Sequence, residues 1–284
     1  MWTIGKILKW TTDFFKRKNL DSPRLDAEIL LAHVLQKNRV YLYSNFDEPL
    51  EKSELNLYHD IIEQRANGKP AAYIIGHKEF FTLKFKVNSN VLIPRPDTET
   101  LVTAVSQRLK SKDSAEILDL CTGSGCVGLS IINFLPNVSA VLTDISEDVI
   151  EIAHENAANL ILLDRTEFFC GNLFESIKDS PRQFDAIVSN PPYIPSQDIL
   201  KLSNDVKNYE PILALDGGTD GLDFYRRIAS ESLQYLKPDG FVAVEIGFEQ
   251  ADDVEKIFRS AGFNQVELKK DLSNINRVVL AWGF

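Results

Sequence analysis

Hydrophobic positions change their period along the chain. Over residues 3–18, Ile4, Ile7, Leu8, Phe14 and Phe15 recur at helical spacing, which predicts an amphipathic helix with one buried stripe. Ser22-Pro23 reads as a cap followed by proline at the first helical position. Leu25, Ile29, Leu30 and Val34 then carry a second helix over 23–37. A further helix is predicted over 51–66, ended by Asn67-Gly68. Residues 1–76 are therefore expected to form a small helical domain. Between 79 and 92 the period falls to about two, which predicts a β-hairpin around an Asn-Ser-Asn turn. Pro94-Arg95-Pro96 reads as a stiff extended link, so that 77–96 connects the helical domain to a larger one over 97–284.

The larger part begins with a helix from Asp97 to about 110 and then alternates. Strands are predicted over 116–120, 138–143, 166–170, 184–189 and 240–246, with helices to about 135 and over 147–159, 221–236 and 249–261. Residues 190–218 read as a loop rich in Pro and Asn. Such alternation implies a mostly parallel, doubly wound sheet covered by helices on both faces. The last two strands, 264–270 and 276–282, are joined by a link too short for a parallel crossover and so form an antiparallel pair at one edge.

Composition narrows the class. Apolar residues make up 44% and charged residues 25% of 284 positions, the balance of a globular domain rather than a disordered or fibrous chain. No run approaches the length of a membrane helix. The first ten residues lack an apolar signal core. The charge is −10, and it is uneven: residues 1–79 hold 12 basic against 11 acidic side chains, and the remainder 19 against 30. An acidic larger domain argues against broad affinity for a phosphate backbone. The Lys16-Arg17-Lys18 run reads as a charged, solvated helix end, favourable to the helix dipole. Cys121, Cys126 and Cys170 form no C-x-x-C pair, and none has a histidine at metal-ligand spacing. This points to a reducing cytoplasmic setting with no metal site.

The candidate chemistry sits at two strand ends. Asp119-Leu120-Cys121-Thr122-Gly123-Ser124-Gly125 follows the first strand of the larger domain, where a glycine-rich turn lets a ligand approach a helix N-terminus closely. Asp144, at the end of the next strand, is placed to accept ribose hydroxyls. Any adenosine cofactor satisfies these features. An acidic residue just before the glycines, able to meet an amino group, and the antiparallel edge pair favour S-adenosylmethionine over a nicotinamide. Cys121 is expected to serve there for its small size, since cysteine takes positive φ only at a cost.

The second strand end is Asn190-Pro191-Pro192-Tyr193. Successive prolines hold the chain extended and remove two backbone donors. The Asn190 side-chain carbonyl and the Pro191 carbonyl are then free to accept from a planar –NH2 group, with Tyr193 stacked on its plane. An amide or exocyclic nitrogen is a poor nucleophile, and two placed acceptors aim its lone pair at a methyl sulfonium. Asn190, Pro191 and Tyr193 are thus the candidate catalytic residues, with Pro192 completing the substrate grip. Adenine N6, guanine N2 and glutamine N5 all satisfy the motif.

The wider sequence distinguishes them. Leu92-Ile93-Pro94-Arg95-Pro96-Asp97-Thr98-Glu99, Tyr209-Glu210-Pro211, Gly217-Gly218, Glu245-Ile246-Gly247 and the leading Asp21-Ser22-Pro23-Arg24-Leu25-Asp26-Ala27-Glu28 give a chain that resembles the peptide-chain-release-factor glutamine N5-methyltransferases of the HemK/PrmC type over nearly its whole length. The resemblance implies a class I S-adenosylmethionine-dependent methyltransferase fold with a seven-stranded sheet. It implies methylation of the glutamine in the Gly-Gly-Gln loop of class 1 release factors, which tunes translation termination and leaves S-adenosylhomocysteine. It places the donor on Asp119, Cys121, Thr122, Gly123, Ser124, Gly125, Asp144, Leu173 and Asn190. Leu173 stands where the family often has tryptophan beside the adenine, and Asn172 replaces a common aspartate. A monomer acting on protein, without direct nucleic-acid or membrane binding, is expected, with residues 1–76 as docking arm. Arg95 is expected to pair with Asp97 or Glu99. A nucleic-acid N-methyltransferase ranks second, ahead of a docking module that binds cofactor without catalysis and a nicotinamide oxidoreductase.

Overall fold

The computed structural model describes residues 1–179 and 182–284. The chain forms two compact units, one made of residues 1–77 with 203–209 and the other of residues 78–202 with 210–284.

The first unit is helical. Helices α1 (Ile4–Arg17), α2 (Pro23–Leu35), α3 (Arg39–Ser44), α4 (Lys52–Ala66) and α5 (Ala71–Ile75) bury Leu8, Phe15, Leu30, Leu31, Leu42 and Tyr58 together. Pro23 opens α2, but Ser22 makes no side-chain capping bond; the expected cap is only a proline start. The acidic residues of α2 are scaffold: Asp26 Oδ2 accepts Arg65 Nε at 2.7 Å, and the buried Glu28 carboxylate takes Arg24, Arg39 and Tyr43. The two short helices α3 and α5 were not expected. Within this unit Tyr209 donates its hydroxyl to the Asn67 carbonyl at 2.9 Å.

The second unit begins at Lys78, inside a hairpin of β1 (His77–Phe80) and β2 (Leu83–Lys86). Its turn is Phe81-Thr82, both left-handed at φ 49° and 66°, so the hairpin turn expected at Asn88-Ser89-Asn90 is corrected. Those asparagines form an Asx turn instead, with Asn88 Oδ1 accepting Asn90 N at 2.8 Å. A buried Phe80 and Phe85 pin the hairpin register from below. Pro96–Thr98 is a short 3₁₀ turn rather than extended linker.

Next come α6 (Glu99–Leu109), β3 (Ala115–Leu120), α7 (Cys126–Phe134), β4 (Val138–Asp144), α8 (Glu147–Asn159), β5 (Thr166–Cys170) and β6 (Phe184–Ser189), followed by the short α9 (Asn204–Tyr209) of the first unit. The chain ends with α10 (Asp223–Ser232), β7 (Leu236–Glu245), α11 (Ala251–Ser260), β8 (Gln265–Lys270) and β9 (Asn276–Trp282). The sheet runs β5-β4-β3-β6-β7-β9-β8. Pairs up to β7 are parallel, and β9 is antiparallel to both β7 and β8. Neighbouring residues enter opposite layers, as the pleat requires. Ile117, Val188 and Ala243 pack under α6 and α7, whereas Leu118, Ile187 and Val244 pack under α10 and α11. The strand order reverses between β3 and β6, which opens a crevice beyond the carboxyl ends of these strands. No helix among the described residues is long and apolar enough to cross a membrane.

Candidate active site

A cavity of about 660 Å³ opens at that crevice. Its floor is the turn after β3. Cys121, Gly123 and Gly125 all have positive φ, at 56°, 55° and 81°. The expectation that Cys121 supplies only smallness is thereby corrected: the position needs left-handed backbone, and cysteine bears the cost. Three further bonds set the turn. Thr122 N donates to the Thr143 carbonyl at 3.0 Å, Asn156 Nδ2 to the Ser124 carbonyl at 2.8 Å, and Gly123 N to Asp144 Oδ2 at 3.1 Å.

Asp119 does not line the cavity. Its Oδ2 accepts the Thr122 hydroxyl at 2.6 Å and Gly128 N at 2.9 Å, so this carboxyl ties the turn to α7. Burial pushes it up to about 7 against those two donors. Gly128 is required for the approach, because a Cβ there would lie 2.8 Å from Asp119 Oδ2. Of the other expected donor-binding residues, Cys121, Thr122, Gly123, Ser124, Asp144, Leu173 and Asn190 line the cavity, whereas Gly125 does not and caps α7. Burial raises the Asp144 carboxyl, opposed by backbone N–H groups of Gly123, Ser146 and Ile145. Asn172 also lines the cavity, its Oδ1 accepting Arg227 Nη1 at 2.9 Å; Arg227 carried no motif and was missed.

The opposite wall is the loop after β6. Asn190 donates Nδ2 to Thr98 Oγ1 at 3.3 Å. Neither Asn190 Oδ1 nor the Pro191 carbonyl accepts a bond from any described residue. Asn190 and Pro192 line the cavity, whereas Pro191 and Tyr193 do not. Tyr193 sits behind the loop, its hydroxyl directed at Glu245 Oε1, 3.5 Å away. Burial raises the Tyr193 hydroxyl further above its ordinary value, so it stays a neutral donor. The segment 214–218 runs beside the loop, with Ile194 N on the Leu215 carbonyl at 3.0 Å and Gly217 N on the Ile194 carbonyl at 2.9 Å. A Cβ on Gly217 would stand 2.7 Å from Tyr193 Cα. Gln250 donates Nε2 to the Tyr193 carbonyl at 2.9 Å. Arg95 pairs with Glu210 at 2.5 Å, not with the expected Asp97, which meets Arg277 at 3.0 Å, nor with Glu99, which accepts Phe81 N.

This sheet order, with a glycine turn and an Asn-Pro-Pro-Tyr loop at adjacent carboxyl ends, defines a class I methyltransferase, a class that generally uses S-adenosylmethionine. Residues 6–76 match the PrmC N-terminal domain and residues 96–205 the methyltransferase small domain. The chain is 44% identical to the release factor glutamine methyltransferase of Clostridium acetobutylicum over 97% of this chain and 94% of that one. It is 42% identical to that of Geobacter sulfurreducens over 98% and 96%. Among solved structures, the hMettl16 catalytic domain aligns at a TM-score of 0.59 and 17% identity, over 79% of this chain and 82% of that one, a likeness of fold. The chain belongs to the release factor glutamine methyltransferase family.

Proposed function

We propose that this protein transfers a methyl group from S-adenosylmethionine to the side-chain amide nitrogen of the Gly-Gly-Gln glutamine in class 1 release factors, acting in the cytoplasm as a monomer. The observation that carries the reading is the polarity of Asn190: its amide nitrogen is engaged by Thr98 while its carbonyl oxygen is free at the cavity wall. A glutamine amide offers two N–H donors, and Asn190 Oδ1 and the Pro191 carbonyl are two acceptors on one loop.

The residues present suit the donor. Asp144 accepts one bond on each oxygen, Gly123 N on Oδ2 and Ser146 N on Oδ1. An ionised carboxylate has about four lone-pair sites, which leaves capacity for ribose hydroxyls. Cys121 to Ser124 form the floor, and Leu173, 4% exposed, presents an apolar side chain to the cavity. When bound, S-adenosylmethionine supplies an electrophilic methyl group. The chain's residues then hold the amide plane, point its nitrogen lone pair along the line of attack and exclude water, and orientation and fixed dipoles supply the rate. The cation formed when the amide nitrogen takes the methyl group still carries its proton, is strongly acidic and gives that proton to water without a dedicated base. Asp119 holds the turn rather than the donor, and Tyr193 buttresses the loop from behind.

Residues 1–76 act in this reading as the docking arm for the rest of the factor. Equal KM for whole factor and for a short Gly-Gly-Gln peptide would remove that role. The principal experiment is peptide mass spectrometry after incubation with S-adenosylmethionine and a release factor, its Gln→Asn loop variant or duplex DNA. One methyl on the loop glutamine, absent from the variant, is expected. Methylated DNA and unmodified factor would replace the reading with nucleic-acid N-methylation.

A further inference from the structure

The cavity is short of positive charge. Among the described residues that line it, Asp144, Asp148, Asp216 and Asp223 are acidic and only Arg95 and Arg227 are basic. The two arginines differ in what is left to them. Arg227 is fully engaged: Nη1 donates to Asn172 Oδ1 at 2.9 Å, Nε to Glu231 Oε1 at 3.0 Å, and Nη2 lies 3.7 Å from Glu175 Oε1. Arg95 meets Glu210 through Nη2 at 2.5 Å, and no other described residue takes its Nε or Nη1. The Arg95 side chain is 37% exposed and that of Glu210 1%, so one nitrogen is anchored in the protein while the rest of the guanidinium stays open to the cavity. The backbone beneath it is stiff. Pro94 and Pro96 flank Arg95, which is extended at φ −99° and ψ 144°, and Glu210 Oε2 accepts Ile93 N at 3.4 Å.

Arg95 also belongs to the reacting end of the cavity. Its carbonyl accepts Thr98 N at 3.1 Å, and Thr98 Oγ1 accepts Asn190 Nδ2 at 3.3 Å. The strand order β5-β4-β3-β6 separates this end from the one that holds Asn172 and Arg227. With the adenosine of the donor assigned to Asp144 and Leu173, and its methyl group to Asn190, the amino-acid arm is left with the β3 turn and the β6 side. S-adenosylmethionine carries a sulfonium, an ammonium and one carboxylate. Aspartates suit the first two and repel the third. A Gly-Gly-Gln loop brings no anion of its own.

We propose that Arg95, anchored by the buried Glu210, binds the carboxylate of the methyl donor and so separates the complete donor from ligands that share only its adenosine. The inference rests on reading the cavity as a donor site and is independent of the substrate. A guanidinium presents its N–H groups in a planar fork that matches a carboxylate. Glu210 fixes the plane of that fork and offsets its charge, so the selectivity comes from placed, charge-assisted hydrogen bonds rather than from a net positive field. Removing the arginine alone leaves Glu210 buried without its cation, which is strongly destabilising. Exchanging both residues for glutamine sets amide against amide and avoids that cost.

The experiment is calorimetry with two ligands, S-adenosylhomocysteine and its decarboxylated analogue, which keeps the adenosine, the thioether and the amine. The proteins are wild type, Arg95→Lys, Arg95→Gln and the double variant Arg95→Gln with Glu210→Gln, and KM for release factor is measured beside them. Wild type is expected to prefer the complete ligand by about ten- to a hundredfold, the scale of hydrogen bonds to a charged group. Arg95→Gln and the double variant should lose that preference, with affinity for the analogue held within about twofold of wild type. Arg95→Lys should keep part of the preference, because a point charge remains without the fork. Equal weakening of both ligands would show a merely structural role and overturn the proposal. So would a wild-type protein that binds the two ligands alike, or a preference retained in the glutamine variants while KM for release factor rises. If Arg95→Gln misfolds, the double variant and Arg95→Lys decide. A wild-type protein that binds neither ligand overturns the donor reading itself, and the carboxylate site with it. A lost preference in a protein that methylates no release factor supports the carboxylate site and overturns the substrate reading alone.

Discussion

Asp144 gives the donor-binding turn a quantitative test. Its Oδ2 accepts Gly123 N at 3.1 Å and its Oδ1 accepts Ser146 N at a longer 3.4 Å. With about four lone-pair sites on an ionised carboxylate, these two bonds and the weaker pull of Ile145 N leave room for a ribose hydroxyl. Asp144→Asn keeps the side-chain shape and exchanges one oxygen for an NH2 group. With its oxygen on Gly123 N, the variant sets a donor against Ser146 N and the cavity, so one acceptor is lost. A hydrogen bond to a charged acceptor contributes about 1.5–3 kcal/mol. Losing one near the middle of that range weakens binding about thirtyfold, at about 1.4 kcal/mol per decade. Asp144→Ala removes both acceptors, also leaves Gly123 N without its partner, and should weaken binding by a further decade or so. The assay is calorimetry with S-adenosylhomocysteine, checked by the smaller rise in Tm that saturating product then produces. Affinity for the Asn variant within about threefold of wild type, in a protein of unchanged Tm, would refute the ribose assignment. Equal losses for Asn and Ala would refute the counting of acceptors.

Other outcomes follow from the same geometry. Asn190→Ala should leave product affinity within about twofold but lower kcat about 10²–10³-fold, the scale for removing one preorganised polar contact; single-turnover rates near wild type would remove its role. Gly128→Ala sets a Cβ 2.8 Å from Asp119 Oδ2 and should cost about 1–3 kcal/mol in denaturant melts with weaker product binding. An unchanged midpoint would show that the turn yields freely. Asp119→Asn should make stability less dependent on pH. The folded carboxyl, at about 7, lies above its ordinary 3.8, so its contribution is full below about 4 and is lost as pH rises through about 7. Both donors use Oδ2, which an Asn oxygen can replace, so the variant should gain up to about 4 kcal/mol at pH 8. Melts with identical pH slopes would refute this.

The legible parts of the fold were those with a repeating signal. Strands such as Ile117 to Leu120 and Val242 to Val244 are buried on both faces, and a short apolar run bounded by turn residues states that directly. Helix α5, of five residues, is too short to show a period. The hairpin turn escaped because Phe81 and Thr82 adopt left-handed backbone that sequence reasoning reserves for Gly and Asn, so the asparagines further on drew the turn to themselves. Cys121 misled in the same way: residue type argued against positive φ, and the surrounding bonds of the turn override it. At the site, the residues that face the cavity were legible because they sit in motifs with a chemical reason. Those that hold them were not, because the contacts join distant positions. Arg95 and Glu210 are 115 residues apart, and Asn190 and Thr98 are 92 apart; no local pattern states such a pair.

The distribution of burial explains why these supports are costly and still present. Asp119 and Glu245 are each almost wholly buried and each pushed up to about 7. At pH 8 both are ionised in the folded chain, and each then opposes folding, because its unfolded value lies far lower. A neutral isostere at either position would therefore raise stability. The carboxylate at Asp119 holds the donor turn by two bonds on one oxygen, a task an amide can share. Glu245 holds less: its Oε1 meets the Tyr193 hydroxyl at 3.5 Å, a contact an amide oxygen can keep, and its Oε2 has no hydrogen-bond partner among the described residues. Glu245→Gln and Asp119→Asn should accordingly both melt higher than wild type at pH 8, with the advantage shrinking as pH falls below about 7, and melts of either variant that match wild type across this range would refute the burial argument.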